Sequence, residues 1–197
     1  MGLHWQRNVI EPEGFFGGWF AEPVARAGVI PRTARVLAAA RRTKIQVVYT
    51  RFVVPPDGGQ LVRNTDAMAQ VAESEQFRPE SPTVAIIEPL APREGDWVVD
   101  NQRLSGLAGS DTADRLRSAG IEALVLTGVA TNLTVESTAR HGTDLGFHVV
   151  VLSDCVTTAT PDAHEASLAN LALTTSGVIT SEEWLQSLGS GMFGGQA

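Results

Sequence analysis

Short apolar runs recur along the chain, separated by stretches whose apolar positions fall three and four apart. Residues 45–50 form a run rich in β-branched side chains, and 97–99, 123–126 and 149–152 repeat it; 177–180 is a shorter one. Runs that are apolar on both faces predict strands buried in a parallel sheet, and a further short strand is expected before His4. Helical patterns lie between them. Pro31 opens one that carries Val36, Leu37 and Ala40 on one side and closes on Arg41 and Arg42, which suit a helix C-terminus. Ser110 is the expected cap of the next, with Gly120 at its end. Val135, Thr138, Ala139 and Gly142 share a face of a third. Thr160 and Pro161 begin a fourth, and Thr180 with Glu183 forms a capping box for a fifth. The alternation predicts a doubly wound, Rossmann-like α/β domain, with a mostly parallel sheet of six strands and helices on both faces.

No repeat or boundary interrupts this pattern, so one domain is read over 1–188, followed by a flexible glycine-rich tail at 189–197. The full length of 197 residues suits a single core. Residues 6–30 and 51–82 lack periodicity, and stretches of that length are expected to cover a site.

Charge and composition narrow the partners. A net charge of −7 and an isoelectric point near 5.1 argue against nucleic acid, whose phosphates need a basic surface. No apolar run is long enough to span a membrane, and residues 1–6 lack a secretory core. The single cysteine, Cys155, forms no intrachain disulfide. The expectation is a cytoplasmic protein with a small-molecule substrate. Lys44 is the only lysine; the arginine bias fits GC-rich coding, and it limits where a catalytic lysine can lie.

Ligands of such folds bind at the carboxyl ends of the strands. Those ends carry His4, Arg51, Asp100 with Asn101, the segment 128–134, and Ser153-Asp154-Cys155. The segment Gly128-Val129-Ala130-Thr131-Asn132-Leu133-Thr134-Val135, followed by Thr138 and Arg140, resembles the nucleophile motif of the isochorismatase-like cysteine hydrolases. The likeness continues through Asp144-Leu145-Gly146-Phe147, Asp154 and His164-Glu165. Upstream it takes in His4-Trp5-Gln6-Arg7-Asn8, Ile30-Pro31-Arg32, Val48-Tyr49-Thr50-Arg51 and Ser105-Gly106-Leu107, nearly the whole chain.

The resemblance implies an aspartate, a lysine and a cysteine at the site, and none of the three is present. Their positions hold His4, Asn101 and Thr134. Lys44 falls at the opposite pole and Cys155 follows another strand, so a thiolate mechanism is excluded by inventory. The resemblance further implies an oxyanion hole from the backbone amides of Ala130 and Thr134, shaped by a cis peptide at Val129–Ala130. A helix starting at Thr134 would aim its free amides and dipole at developing negative charge.

Each candidate also has a plain structural role. Thr134 is a nucleophile or, as its residue type favours, a helix N-cap. His4 is an acid/base titrating near neutrality or a hydrogen-bonded core histidine. Asn101 orients a polar group or caps a strand end. Phe15, Phe16, Trp19 and Phe20 form an apolar wall over a pocket or a contact between subunits; a homodimer or larger homo-oligomer is expected because these aromatics need burial. Arg51 and Arg103 are candidates for holding a carboxylate, and Asn132 is a further substrate contact. Cys155 reads as a small buried residue. His4, His141, His148 and His164 show no metal-ligand spacing. Residues 51–95 contain no histidine, unlike the metal-binding nicotinamidase branch, and no dinucleotide fingerprint is present. Neither metal nor cofactor is expected.

Three functions fit: a hydrolase of an amide, ester or enol ether using His4 and a backbone oxyanion hole; a lyase, isomerase or cyclase in the same pocket; or a homologue that binds without catalysis. The intact loop motif and the aromatic-rich pocket favour an enzyme, nominally a hydrolase.

Overall fold

The computed structural model describes residues 1–189. Six parallel strands form one sheet: β1 (Gly2–Leu3), β2 (Val48–Phe52), β3 (Trp97–Asn101), β4 (Ala123–Val129), β5 (His148–Thr157) and β6 (Gly177–Ile179). Their order is β3-β2-β1-β4-β5-β6, the doubly wound arrangement expected from the alternation. The order reverses beside β1, so the crevice at the carboxyl ends of β1 and β4 is where a ligand belongs.

Burial on both faces explains why the strands are apolar throughout. Val48, Val149 and Val151 point to one side, where they meet Leu116 of α5 (Thr112–Ser118), Ala139 of α6 (Glu136–Asp144) and Leu171 of α7 (Pro161–Thr174). Tyr49, Val150 and Leu152 point to the other, against Val24 of α2 (Gly17–Ala27), Val36 and Leu37 of α3 (Val29–Arg42) and Trp184 of α8 (Ser181–Gly189). Two short helices complete the set, α1 (Arg7–Ile10) and α4 (Asp66–Glu73). β3 departs from expectation: it is an edge strand, Val98 is 40% exposed and Asp100 faces outward. A charged residue on an edge discourages pairing with another chain.

The caps follow the sequence closely. Thr160 accepts from the Ala163 amide, and Thr180 and Glu183 bond reciprocally as a capping box. At α5 the cap shifts by one residue to Asp111, while the Ser110 hydroxyl bonds to Thr112.

The two stretches read as irregular are partly helical. Gly17, Gly18 and Pro23 look like helix breakers, yet α2 runs through all three because Phe20 and Val24 bury one face of it. Pro23 removes one backbone donor from that helix, and the apolar burial outweighs the loss. The second stretch contains α4 and a short 3₁₀ turn at Glu75–Phe77. The expected flexible tail, apart from Gly189 in α8, lies outside the described residues.

Candidate active site

The end of β1 is held in place by its neighbour. The His4 amide donates to the Thr50 carbonyl. Two residues on, the Gln6 side chain continues the ladder: its Nε2 donates to the Phe52 carbonyl at 3.1 Å, and its Oε1 accepts from the Phe52 amide at 2.6 Å. His4 itself turns off the strand with φ of +52°, a conformation that a non-glycine residue keeps only where its surroundings enforce it. This turn directs the imidazole toward the start of the segment after β4.

There its Nδ1 lies 3.1 Å from Thr134 Oγ1. The other ring nitrogen, Nε2, is buried without a hydrogen bond of normal geometry, and so is Oδ1 of Asn101. Asn101 still lies close enough to the ring to favour its protonated form somewhat. Its amide group is oriented from behind, with Nδ2 donating to the Ser105 carbonyl at 3.0 Å. That bond leaves Oδ1 as the free end of the amide. A neutral His4 protonated at Nε2 fits this arrangement, with Nδ1 accepting from the Thr134 hydroxyl.

Burial dominates the electrostatics of His4. It lowers the imidazole pKa to about 4, against a small opposing effect of Asn101. Titration near neutrality, expected from the residue type, is thus corrected: His4 is neutral at pH 7.

The N-cap role expected for Thr134 is also corrected. The helical segment after β4 begins earlier, with Ala130 in the cap position and a wide turn over Thr131–Val135 that leads into α6. The amides of Leu133 and Val135 both turn to the Ala130 carbonyl. Thr134 sits inside that first turn, so its hydroxyl is available to His4, and its amide lies where helical amides lack intrahelical acceptors. The Val129–Ala130 peptide is cis.

A cavity of about 680 Å³ opens above these residues. His4, Ala130 and Thr134 form part of its lining, and most of the remainder is apolar, including Phe16, Trp19, Phe52, Met68, Phe77 and Leu133. Both stretches without strand or helix periodicity contribute walls.

Residues 3–183 match the isochorismatase domain model. The chain belongs to the isochorismatase family of hydrolases. It is 29% identical to maleamate amidohydrolase of Pseudomonas putida over 84% of its length and 78% of that protein's. It is 35% identical to the ureidoacrylate amidohydrolase RutB of Methylorubrum extorquens over 75% of its length, matching 64% of that longer protein. Among solved structures, a cysteine hydrolase from Pseudomonas syringae pv. phaseolicola superposes with a TM-score of 0.85 at 26% identity, covering 95% of this chain and 90% of that one.

Within this isochorismatase-family fold, the sequence candidates divide. His4, Asn101 and Thr134 converge at the switch point, although 130 residues separate His4 from Thr134. Phe16, Trp19, Phe20 and Arg103 line the cavity. Phe15, Arg51 and Asn132 do not. Phe15 stands behind the wall, packed edge-on against Phe16 and Phe77. Arg51 forms a bidentate ion pair with Asp100, at 2.7 and 2.8 Å. Asn132 accepts from the Thr158 hydroxyl. Of the four aromatics at 15–20, only Trp19 is largely exposed, so the burial they need comes mainly from this chain. Among the described residues no cluster of potential metal ligands occurs, and no helix is long and apolar enough to cross a membrane.

Sequence reasoning missed Phe52, Met68, Phe77 and Leu133 as cavity walls, and Ser105 and Gln6 as positioning groups. Phe52 ends β2, so its place at a carboxyl strand end was a usable signal. Met68 and Phe77 lie in a stretch with no periodicity and offered none.

Cys155 is fully buried in the core on the α3 face. Burial, with help from neighbouring Asp154, pushes its thiol up to about 12. It is a small buried residue, as expected.

Proposed function

We propose that this chain hydrolyses a small carbonyl compound, an ester or an amide, with Thr134 as nucleophile, His4 as its base and Asn101 as the group that orients His4. One observation carries the reading: the Thr134 hydroxyl lies 3.1 Å from His4 Nδ1, while the Asn101 side chain, fixed by Ser105, is close enough to act on the same ring. Nucleophile, base and orienting group in sequence are the signature of an activated hydroxyl.

In this reading Thr134 Oγ1 attacks the carbonyl carbon and its proton passes to His4 Nδ1. The oxyanion forms near the amides of Ala130 and Thr134 at the start of the helical segment, where donors and dipole favour negative charge. The imidazolium then protonates the leaving group, the acyl group remains on Thr134, and a water deprotonated by His4 releases it. The relatives' names, both amidohydrolases, support hydrolysis of an acyl compound as the wider class. The cavity's location at the switch point supports a small-molecule substrate, and the presence of Ala130 and Thr134 in its lining supports a carbonyl centre.

The test is rapid-quench kinetics on p-nitrophenyl esters, followed by mass spectrometry of the quenched protein. A burst of p-nitrophenolate with an acyl group mapped to Thr134 is the expected result. Turnover unchanged in Thr134→Ala would remove Thr134 from the nucleophile role and leave His4 to activate water. Ligand binding with no turnover by any form would instead make this a binding protein.

A further inference from the structure

We propose that the substrate of this site is an uncharged ester with an apolar acyl or aryl group, rather than a small anionic amide. This rests on the hydrolase reading above and adds the ligand class to it.

The first argument is the shape and chemistry of the cavity. Its volume of about 680 Å³ far exceeds the space of a three- or four-carbon acid, which is on the order of 100 Å³ when a cavity for a drug-sized ligand is taken as 300–1,000 Å³. Phe16, Phe52, Met68, Val71 and Phe77 make its walls mostly apolar, with Asn64, Thr65, Gln102 and Arg103 as the polar exceptions beside His4 and Thr134.

The second is its mouth. Seven large hydrophobic side chains are exposed among the described residues, and four of them, Trp19, Val62, Leu104 and Leu133, belong to this one cavity. Apolar groups gathered in this way mark a place that contacts something apolar. Because His4 and Thr134 line the same cavity, the apolar occupant is the substrate itself. Its reacting carbonyl sits inside and its chain extends past Trp19.

Charge supplies the third argument. Among the described residues Arg103 is the only charged side chain in the lining, and its Nη1 already donates to the carbonyls of Gln60 and Gln102. Arg51 is committed to Asp100. A carboxylate drawn into these walls would lose its hydration and meet chiefly the remaining donors of Arg103 and the neutral Asn64.

The choice of ester over amide follows from Asn101. An amide cannot stabilise the imidazolium as a carboxylate would. The pair therefore suits a leaving group that departs readily. The Thr134 Oγ1–carbon bond forms as the ester carbon–oxygen bond breaks, and the proton from Thr134 travels through His4 to the departing alcohol. Water then attacks the acyl group, releasing the acid and restoring the Thr134 hydroxyl.

The experiment compares kcat/KM for p-nitrophenyl acetate, p-nitrophenyl hexanoate, the p-nitrophenyl half-ester of succinate, and maleamate. Burial of four extra methylenes should favour hexanoate over acetate on the order of 10²-fold. The half-ester and maleamate should trail hexanoate by at least about 10-fold, because they carry a charge into apolar walls. Trp19→Ala, at a side chain 58% exposed, should raise KM for hexanoate more than for acetate. A flat series, or a preference for either anion, overturns the proposal. Calorimetric titration with the unreactive ketone hexanophenone, against maleate, separates the two readings. If no ester turns over but hexanophenone binds and maleate does not, the ligand class stands and hydrolysis falls; if hexanophenone does not bind, the ligand class falls too.

Discussion

Thr134 Oγ1 lies 3.1 Å from Nδ1 of His4, so the hydroxyl and the imidazole at the positions where the resemblance implies a thiol and a carboxylate are paired with each other. Two positions far apart in the sequence form one hydrogen-bonded unit. If they act as a unit, removing either should cost as much as removing both. Thr134→Ala and His4→Ala are each expected to lower kcat/KM by about 10²–10⁴-fold, and the double variant should be no worse than the weaker single variant. Additive losses in steady-state assays would mean that the two side chains act independently.

The burial of His4 sets the pH dependence. Its folded pKa of about 4 lies below the ordinary value of 6.5, so the free base persists through neutrality. The expected profile of kcat/KM is flat from about pH 9 to pH 5 and falls below that as His4 takes a proton. A depressed histidine pKa also means that the unfolded chain binds this proton first. Its effect on stability is therefore absent above pH 6.5 and grows as the pH falls toward 4, reaching about 3 kcal/mol of destabilisation. Urea unfolding at pH 7 and pH 4 measures it, and His4→Gln should lose less stability between the two than the unsubstituted protein.

Strands buried on both faces write their burial directly into composition, which is why β4 and β5 were legible as apolar runs and the sheet followed from them. Convergence of His4, Asn101 and Thr134 was legible too, because each follows a parallel strand near the switch point. What composition does not encode is direction. Whether the Thr134 hydroxyl caps a helix or reaches His4 depends on where the wide turn over Thr131–Val135 begins, and residue types do not fix that. Arg51 had the right chemistry for a carboxylate, but its partner on the neighbouring strand, Asp100, is set by register between β2 and β3. α2 was hidden by Pro23 and two glycines, since its helicity comes from tertiary burial of Phe20 and Val24 rather than from propensity.

Asn101→Asp offers a graded test of the orienting role. A carboxylate facing the buried ring favours imidazolium. The acid limb of the kcat/KM profile should therefore move up from about 4 by about a unit or more, with turnover at pH 7 maintained or raised. Asn101→Leu, which keeps the volume but offers no acceptor, should lower turnover and leave the acid limb in place or shift it down. A profile unmoved by either change would show that Asn101 serves only the backbone around Ser105.

The Cys155 thiol should be inert in the native protein. Full burial and a pKa pushed up to about 12 leave almost no accessible thiolate at pH 8. Iodoacetamide is expected to label it only in denaturant, with activity unaffected under native conditions. Rapid native labelling with loss of turnover would place Cys155 in the mechanism after all.

Gly128 links the fold to the site most directly. It has φ of +147°, and a Cβ there would lie 2.4 Å from the Leu3 carbonyl oxygen and 2.7 Å from the Leu3 Cβ. Both partners are fixed: Leu3 pairs with Gly128 in the sheet register and is fully buried. Gly128→Ala must push β1 away from β4 or rotate the strained backbone, and no flexible side-chain end is present to absorb the clash. Since His4 follows Leu3 directly, any shift of β1 also moves Nδ1 away from Thr134 Oγ1. The expected cost is about 2–4 kcal/mol of stability from the clash and the positive φ. A loss of turnover should appear in whatever fraction stays folded. Chemical denaturation together with kcat measured well below the unfolding midpoint checks both effects. A variant with full stability and wild-type kcat would mean that β1 and β4 tolerate separation, and that the His4–Thr134 contact does not depend on their close approach.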